Sequence, residues 1–391
     1  MSIFNNLQIA FKDKSKYDLN RAYLLFKIIS IPFISKIMTK FVKLSIAFGI
    51  PIEFFIKKTI YAHFCGGISI EKSQNTIDRL WNSNIGTILD FSAEGKNNEI
   101  DFNRVLNETI LSINKAKNQE NIPFAVFKPT GLIRFSLLEK LSSKEKLTYK
   151  EEKEINDFEQ RFYKICKKAS QNNVPVFVDA EESWIQDPID DLVLKMMSEF
   201  NNKKAVIFNT IQLYRKDRIS YLKEIINHAK ENNFKIGIKL VRGAYHEKEI
   251  ERALEKNYEI PVHTKKEECD NDFNEALSIC FENLNIISLC AGTHNEKSSQ
   301  LLINLISKYK IKKNDTRIYF SQLLGMSDNI SYNLAANGFN VAKYVPYGPV
   351  KDLIPYLIRR AEENTSIAGQ MGRELTNIIK EKKRRKNIKF F

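Results

Sequence analysis

The chain has 391 residues, of which 43% are hydrophobic and 28% charged, the balance of an ordinary soluble globular protein. Its net charge of +14 at pH 7 suits a negatively charged partner: a membrane surface, a nucleic acid or an anionic cofactor. Cys65, Cys166, Cys269, Cys280 and Cys290 form no CxxC pair. This weighs against a disulfide framework or thiolate metal centre and fits a reducing compartment with thiols as small apolar fillers.

The opening MSIFNNLQIAFKDKSKYD carries acids and lacks the clean apolar core of a secretory signal. Residues 1–65 read as a helical, basic N-terminal arm, with Leu24, Leu25, Ile28, Ile29 and Phe33 at helical spacing. Within it, Leu44 to Ile56 is the most apolar stretch. Lys43 and Lys57 bracket it, Pro51 and Glu53 interrupt it, and it is too short to span a bilayer as a helix. A buried helix pair or an interfacial segment fits it better.

From residue 66 the pattern changes. After helix signals from Glu71 to Asn82 come eight short apolar runs ending in polar residues. They start near Ile85, Pro123, Pro175, Ala205, Lys235, Ile286, Arg317 and Asn340. Helical stretches at 103–116, 150–171, 191–199, 218–232, 265–282, 297–308 and 327–336 separate them. Strands apolar on both faces and alternating with helices predict a parallel sheet. Eight such units predict an α/β fold of the TIM type, a (βα)8 barrel over 66–369. The rival open sheet would carry GxGxxG after its first strand, and none is present. Leu138 to Asp157 reads as a charged helix–loop–helix insertion with a solvated face. Residues 370–391 read as a basic tail, whose KEKKRRKNIKFF ending suits weak electrostatic contact with an anionic bilayer.

In such a barrel the C-terminal strand ends build the site. Here they present Lys128 and Thr130; Asp179, Ala180, Glu181 and Glu182; Gln212 and Tyr214; Lys239, Arg242, Gly243, Ala244 and Tyr245; Thr293, His294 and Asn295; Gln322, Leu324 and Gly325; and Tyr344. After the last strand, a Pro346–Pro349 turn leads into a helix bearing adjacent Arg359 and Arg360, with Glu363 one turn on. Two neighbouring guanidiniums are suited to holding a carboxylate. The set is cationic and rich in hydrogen-bonding groups. His294 has no companions at metal-ligand spacing, so a metal site is not expected, and no GxSxG elbow occurs. Lys128, Lys239, Arg242, Arg359 and Arg360 together suit a large anionic cofactor plus an anionic substrate, and Gly243 suits a close backbone approach. A barrel lyase using Lys239 or Lys128 as a Schiff-base nucleophile and a non-enzymatic basic binding protein remain alternatives.

The blocks FKPTG, VDAEES, NTIQLY, KLVRGAYHEKE, AGTHN, QLLGM and KYVPYGPVKDLIPYLIRRAEEN resemble the proline dehydrogenase family in order and context. FCGGIS and ILDFSAEG resemble its opening blocks, so the likeness runs from about 64 to 366. The resemblance implies a distorted (βα)8 barrel holding FAD at its C-terminal face, with the eighth helix over the mouth. It implies oxidation of L-proline to Δ1-pyrroline-5-carboxylate by hydride transfer to flavin N5. Electrons then pass to a membrane quinone.

By the same resemblance Arg359, Arg360 and Lys128 hold the substrate carboxylate, Glu363 ion-pairs in the gate, and Tyr344 and Leu324 wall the ring. Lys239, Arg242, Gly243, Ala244, Gln212, Thr293 and His294 line the FAD with Ala180 against it. Asp179, Lys239 and Tyr344 form the catalytic set. Lys239-Leu-Val-Arg242 has the order of mitochondrial-type enzymes rather than the Arg-Leu-Val-Lys of many bacterial relatives. A second, aldehyde-oxidising domain would need several hundred further residues, so a monofunctional enzyme is expected. It would be cytoplasmic and peripheral at the inner face of the membrane, without a nucleic-acid partner.

Overall fold

The computed structural model describes residues 3–29, 31, 52–91, 97–366 and 370–387, with only the backbone at 361–366, 370 and 371. Eight strands, β1 (Ile85–Phe91), β2 (Phe124–Phe127), β3 (Val176–Val178), β4 (Ile207–Gln212), β5 (Ile236–Val241), β6 (Ile287–Gly292), β7 (Ile318–Leu323) and β8 (Val341–Tyr347), form one closed parallel barrel in sequence order. Closure comes from the β1–β8 ladder, which pairs Ile85 with Val341 through to Phe91 with Tyr347. The (βα)8 barrel expected from the alternating runs is the observed fold.

Among the described residues, the helices of eight residues or more are, in chain order, α1 (Lys16–Ile29), α2 (Gln74–Trp81), α3 (Glu99–Ala116), α4 (Phe135–Ser142), α5 (Tyr149–Asn172), α6 (Ser183–Phe200), α7 (Arg218–Glu231), α8 (His246–Lys256), α9 (Lys266–Glu282), α10 (Glu296–Lys308), α11 (Asp328–Ala336), α12 (Val350–Ser366) and α13 (Gln370–Asn387). Local sequence explains many of their ends. Thr148 and Glu151 make a reciprocal capping box at the start of α5, and Asn295 caps α10 by accepting from Lys297 N at 2.8 Å. Asn173 and Asn257 end α5 and α8 in the left-handed conformation that glycine usually takes.

Two apolar layers hold the barrel. One lies between strands and helices and contains Ile113, Phe162, Ile189, Leu222, Leu277 and Leu302. The other fills the interior with Ile88, Phe124, Val126, Phe177, Phe208, Cys290 and Ala342. There Phe124 stacks on Phe177 at 4.3 Å and 18°, and Phe208 meets Phe177 edge-on at 5.3 Å, both favoured aromatic geometries. All five cysteines are free and buried.

Three segments differ from the expectation. Helix α6 begins at Ser183 rather than 191, although Pro188 lies inside it. The buried Glu249 carboxylate accepts from Ser183 N at 2.7 Å, so a partner distant in sequence satisfies the helix start. Helix α8 was not expected, because only Glu249 and Ala253 on it are buried. The segment set apart as a basic tail contains the helix α13. Arg384 and Arg385 both bind the fully buried Glu381, and Arg385 donates to Phe11 O and Lys14 O, each at 2.7 Å. The stretch Leu44 to Ile56 lies outside the described residues up to position 51, as do the last four residues of the chain.

Candidate active site

The two-residue period of a strand sends alternate side chains into the barrel. Ile88 faces the interior, and so does Asp90 two residues further along β1. The same alternation continues from Val126 to Lys128, from Phe177 to Asp179, and to Lys239 and Tyr344. These five polar groups form one connected layer above the aromatic floor. Lys128 Nζ lies 3.1 Å from each Asp90 oxygen and 3.3 Å from Asp179 Oδ2. Lys239 ion-pairs with Asp179 Oδ1 and donates to the Tyr344 hydroxyl at 2.6 Å. That hydroxyl donates to Asp179 at 3.3 Å. Lys239 also sits over the Tyr344 and Phe177 rings, at 4.8 and 5.2 Å, a favourable place for a cation.

Burial opposes the charged form of Asp179. The Lys239 and Lys128 ammonium groups outweigh it and hold this carboxyl below the usual range. For Tyr344, burial and then the Asp179 charge push the phenol well above its ordinary value, so it remains a neutral donor. The sequence-predicted Asp179, Lys239, Tyr344 and Lys128 are thus brought together.

The β4–β7 ends carry a second set. Arg242 forms a fork, with Nε 2.7 Å from Asp270, one terminal nitrogen 2.6 Å from the Thr293 hydroxyl and the other 3.0 Å from Ser298. Gln212 donates to Glu181 O at 2.7 Å. Gly243 and Ala244 are exposed at the mouth. Gly243 has φ +133°, and a Cβ there would stand 2.4 Å from the Tyr214 ring, so the protein's own packing demands glycine. His294 accepts from or donates to the Ser327 hydroxyl at 2.9 Å. Burial, followed by Lys343, Arg360, Arg373 and Arg242, drives its imidazole well below the ordinary value. It is a neutral ring amid cations. Leu324 is buried beside this set, and Ala180 follows Asp179 at the β3 end.

Helix α12 carries Arg359 and Arg360. Arg360 is buried, with its guanidinium 5.1 Å over the Tyr356 ring. Arg359 lines a cavity of about 530 Å³ shared with Thr130, Glu181 and Tyr245. The Glu363 side chain lies outside the described residues.

Several residues of the mouth escaped the sequence reading. Asp90 is one, and its signal was the alternation along β1. Another group joins the barrel to the chain's two ends. Lys343 ion-pairs with Asp328 at 2.7 Å, Asp328 pairs with Lys14 at 3.4 Å, and Glu374 accepts from Ser327 N at 2.8 Å. Arg373 donates to His294 O at 3.0 Å. Nothing local in sequence marks these long-range pairs. Among the described residues no group of His, Cys, Asp and Glu could hold a metal ion, and no helix is long and apolar enough to cross a membrane.

A closed barrel whose strand ends carry paired lysines, carboxylates and a tyrosine defines a (βα)8-barrel enzyme. A family model described as proline dehydrogenase matches residues 73–373. Proline dehydrogenase 1, mitochondrial, of Dictyostelium discoideum is 33% identical over 418 residues, covering 95% of this chain and 73% of that protein. The carbapenem antibiotics biosynthesis protein CarD of Pectobacterium carotovorum is 35% identical over 322 residues, covering 82% and 83%. The chain belongs to the proline dehydrogenase family, oxidoreductases acting on the CH–NH group of proline. Among solved structures, proline utilization A from Bdellovibrio bacteriovorus inactivated by N-propargylglycine superposes with TM-score 0.72 at 18% identity. The superposition covers 97% of this chain but 42% of that one, and it speaks for the fold.

Proposed function

We propose that the chain is an FAD-dependent proline dehydrogenase that converts L-proline to Δ1-pyrroline-5-carboxylate and delivers the electrons to a membrane quinone. The observation that carries the reading is the ion-pairing of both mouth lysines. Lys239 is held by Asp179, and Lys128 by Asp90 and Asp179. A Schiff-base lysine needs the opposite, a desolvated and unpaired amine. The lysines therefore suit electrostatic positioning, which leaves the redox chemistry to a cofactor.

The residues at the β4–β6 ends fit FAD by their chemistry. Burial, and then Lys343, Arg360, Arg373 and Arg242, keep His294 neutral; those positive surroundings suit an anionic dinucleotide, and Arg242, Lys239, Gln212 and Thr293 supply donors. Gly243, Ala244 and Ala180 offer small surfaces to it. Bound FAD supplies the hydride acceptor.

Arg359 and Arg360 bind the proline carboxylate and fix the ring's orientation, an effect of proximity. Lys128 adds positive charge to that end. Tyr344 and Leu324 form the wall against the ring. Asp179 holds Lys128 and Lys239 in register and so acts as the geometric centre of the catalytic set. The Lys239 ammonium, fixed by Tyr344, stabilises negative charge that develops at the reacting centre. Helix α12, with Glu363 in its gate, excludes water once substrate is held.

The proposed domain division is an arm over 1–65, the catalytic barrel over 66–369 and a basic C-terminal segment over 370–391. The basic segment and the net charge support a peripheral contact with an anionic membrane that brings the mouth to its quinone, on the cytoplasmic side of that membrane.

The test is direct. Purified protein is expected to be yellow, and L-proline is expected to bleach its flavin band under anaerobic conditions. A folded, colourless protein that takes up no FAD defeats the proposal.

A further inference from the structure

Helix α13 reaches the β6 and β7 ends through Ser327. This serine stands at φ +51°, in the left-handed region that a side-chain-bearing residue keeps only where its surroundings hold it. Two neighbours on α13 hold it. Glu374 accepts from its backbone N at 2.8 Å, and a terminal nitrogen of Arg373 donates to its hydroxyl oxygen at 3.1 Å. The same nitrogen donates to His294 O at 3.0 Å, and the guanidinium ion-pairs with Glu296 at 3.3 Å. Arg373 therefore ties the loop after β7 to the loop after β6.

These bonds decide where the His294 ring carries its proton. Ser327 is fully buried, so its one hydroxyl proton needs an acceptor. Arg373 brings only donors. The hydroxyl's other partner among the described residues is His294 Nδ1, at 2.9 Å. The proton is donated there, and Nδ1 accepts with its lone pair. A neutral imidazole that accepts at Nδ1 keeps its own proton on Nε2. Nε2 has no partner among the described residues. The ring is half-buried at the β6 end, where the charges of Arg242 and of Arg360 on α12 both reach it. The opposite tautomer would offer a bare lone pair from the same atom, which repels an oxygen instead of binding it.

We propose that Arg373 is a positioning residue for the cofactor: through Ser327 it holds His294 in the Nε2–H form, so that the ring offers a neutral N–H donor to an oxygen of bound FAD. The inference rests on the flavin reading above. Without Arg373 the Ser327 hydroxyl is free to rotate and to accept from Nδ1–H, and the ring is no longer held to one tautomer.

The test reads the ring itself, by nitrogen NMR of the holoenzyme with isotope-labelled histidine. The His294 signals are identified by their loss in His294→Gln. Wild type and Arg373→Lys, which keeps a donor at Ser327, are expected to show a bare Nδ1 and a protonated Nε2. Arg373→Met is expected to show both tautomers. Its release of FAD on dilution, followed by the fluorescence of freed flavin, is expected to be about tenfold faster, the size of one hydrogen bond. A second pair needs no change in α13. Glutamine at 294 places its amide N–H near the position of Nε2, and asparagine places it near Nδ1. His294→Asn is expected to release FAD about tenfold faster than His294→Gln. Arg385→Met, which loosens α13 from the arm, is expected to lower the melting temperature and leave the tautomer alone. A bare Nε2 in wild type, one spectrum shared by wild type and Arg373→Met, or equal release from the two 294 variants overturns the assignment. The wild-type spectrum and the 294 pair decide it even where Arg373→Met fails to fold. A folded protein that takes up no FAD instead defeats the flavin reading, on which the donor's role depends.

Discussion

Lys239 on β5 and Tyr344 on β8 meet at 2.6 Å although 105 positions separate them in the chain. The contact spans the barrel mouth, and Asp179 from β3 closes it into a triangle. The ammonium is 4% exposed as a residue, so its charge depends on the carboxylate and on the aromatic floor beneath it.

Removing the charge is therefore expected to cost more than removing the hydroxyl. Tyr344→Phe deletes one hydrogen-bonding group and should lower stability by about 1 kcal/mol. Lys239→Met leaves a buried carboxylate short of a partner and should cost about 3–5 kcal/mol. Urea unfolding of the two variants and their double mutant checks this, with a coupling of roughly 0.5–3 kcal/mol expected for groups in contact. Equal losses in the two single variants would show that the Lys239 charge has other support.

The adjacent arginines of α12 are expected to behave differently from one another. Arg359 is half-buried at the cavity, whereas Arg360 is buried against Tyr356. Under the carboxylate-clamp proposal, Arg359→Ala should raise the proline KM by roughly 10–100-fold, the loss of one or two charged hydrogen bonds at about 1.5–3 kcal/mol, with little change in melting temperature. Arg360→Ala should raise KM and also lower the melting temperature, because packing is lost with the charge. FAD content should stay at the wild-type level in both. An unchanged KM in both variants would remove the clamp.

The barrel was legible because strands buried on both faces read as short apolar runs, and the residue after each run marks a strand end. Lys128, Asp179, Lys239 and Tyr344 were therefore found from local pattern alone. Asp90 was passed over because the apolar run was carried on into SAEG, although its place two residues after the inward-facing Ile88 identifies its side. Helix α8 was hidden for the opposite reason. Eight of its eleven residues are polar or charged, leaving only Ile250, Ala253 and Leu254 to mark a face, and Glu249, fully buried, takes its meaning from Ser183 and Tyr214. The bond from Ser327, in the loop between β7 and α11, to Glu374 on α13 joins positions 47 apart, a relation that no local window contains.

Acid is expected to weaken the junction between barrel and arm. Burial disfavours the Asp328 charge, but Lys343 and then Lys14 outweigh it and hold the carboxyl far below its ordinary 3.8. A folded value below the unfolded one means the stabilisation is complete above about pH 4. It is lost as the pH falls below that toward the folded value. Asp328→Asn should accordingly lower stability by about 3–5 kcal/mol at pH 7 and flatten the fall below pH 4. Thermal melts of both proteins from pH 2 to 7 check this. An equally steep acid limb in the variant would assign it to other carboxylates, such as Asp179.

Gly325 and Gly338 offer a matched pair that isolates what the arm does at the site. Both are left-handed, at φ +78° and +84°, so alanine at either costs about 1–2 kcal/mol of backbone strain. They differ in surroundings. A Cβ at Gly338 meets nothing within 4 Å, while one at Gly325 would stand 2.6 Å from the His63 carbonyl oxygen. The His63 ring is itself bonded to Gly325 O at 2.9 Å and packs edge-on against Phe64 and Phe26. The arm thus presses directly on the residue after Leu324, the proposed ring wall. Gly338→Ala should lose only the backbone cost and keep wild-type proline kinetics. Gly325→Ala should lose about 1–3 kcal/mol more and raise the proline KM as Leu324 shifts. Paired denaturation curves and proline titrations of the two variants check this; matching losses and matching KM values would show that the arm does not set the position of Leu324.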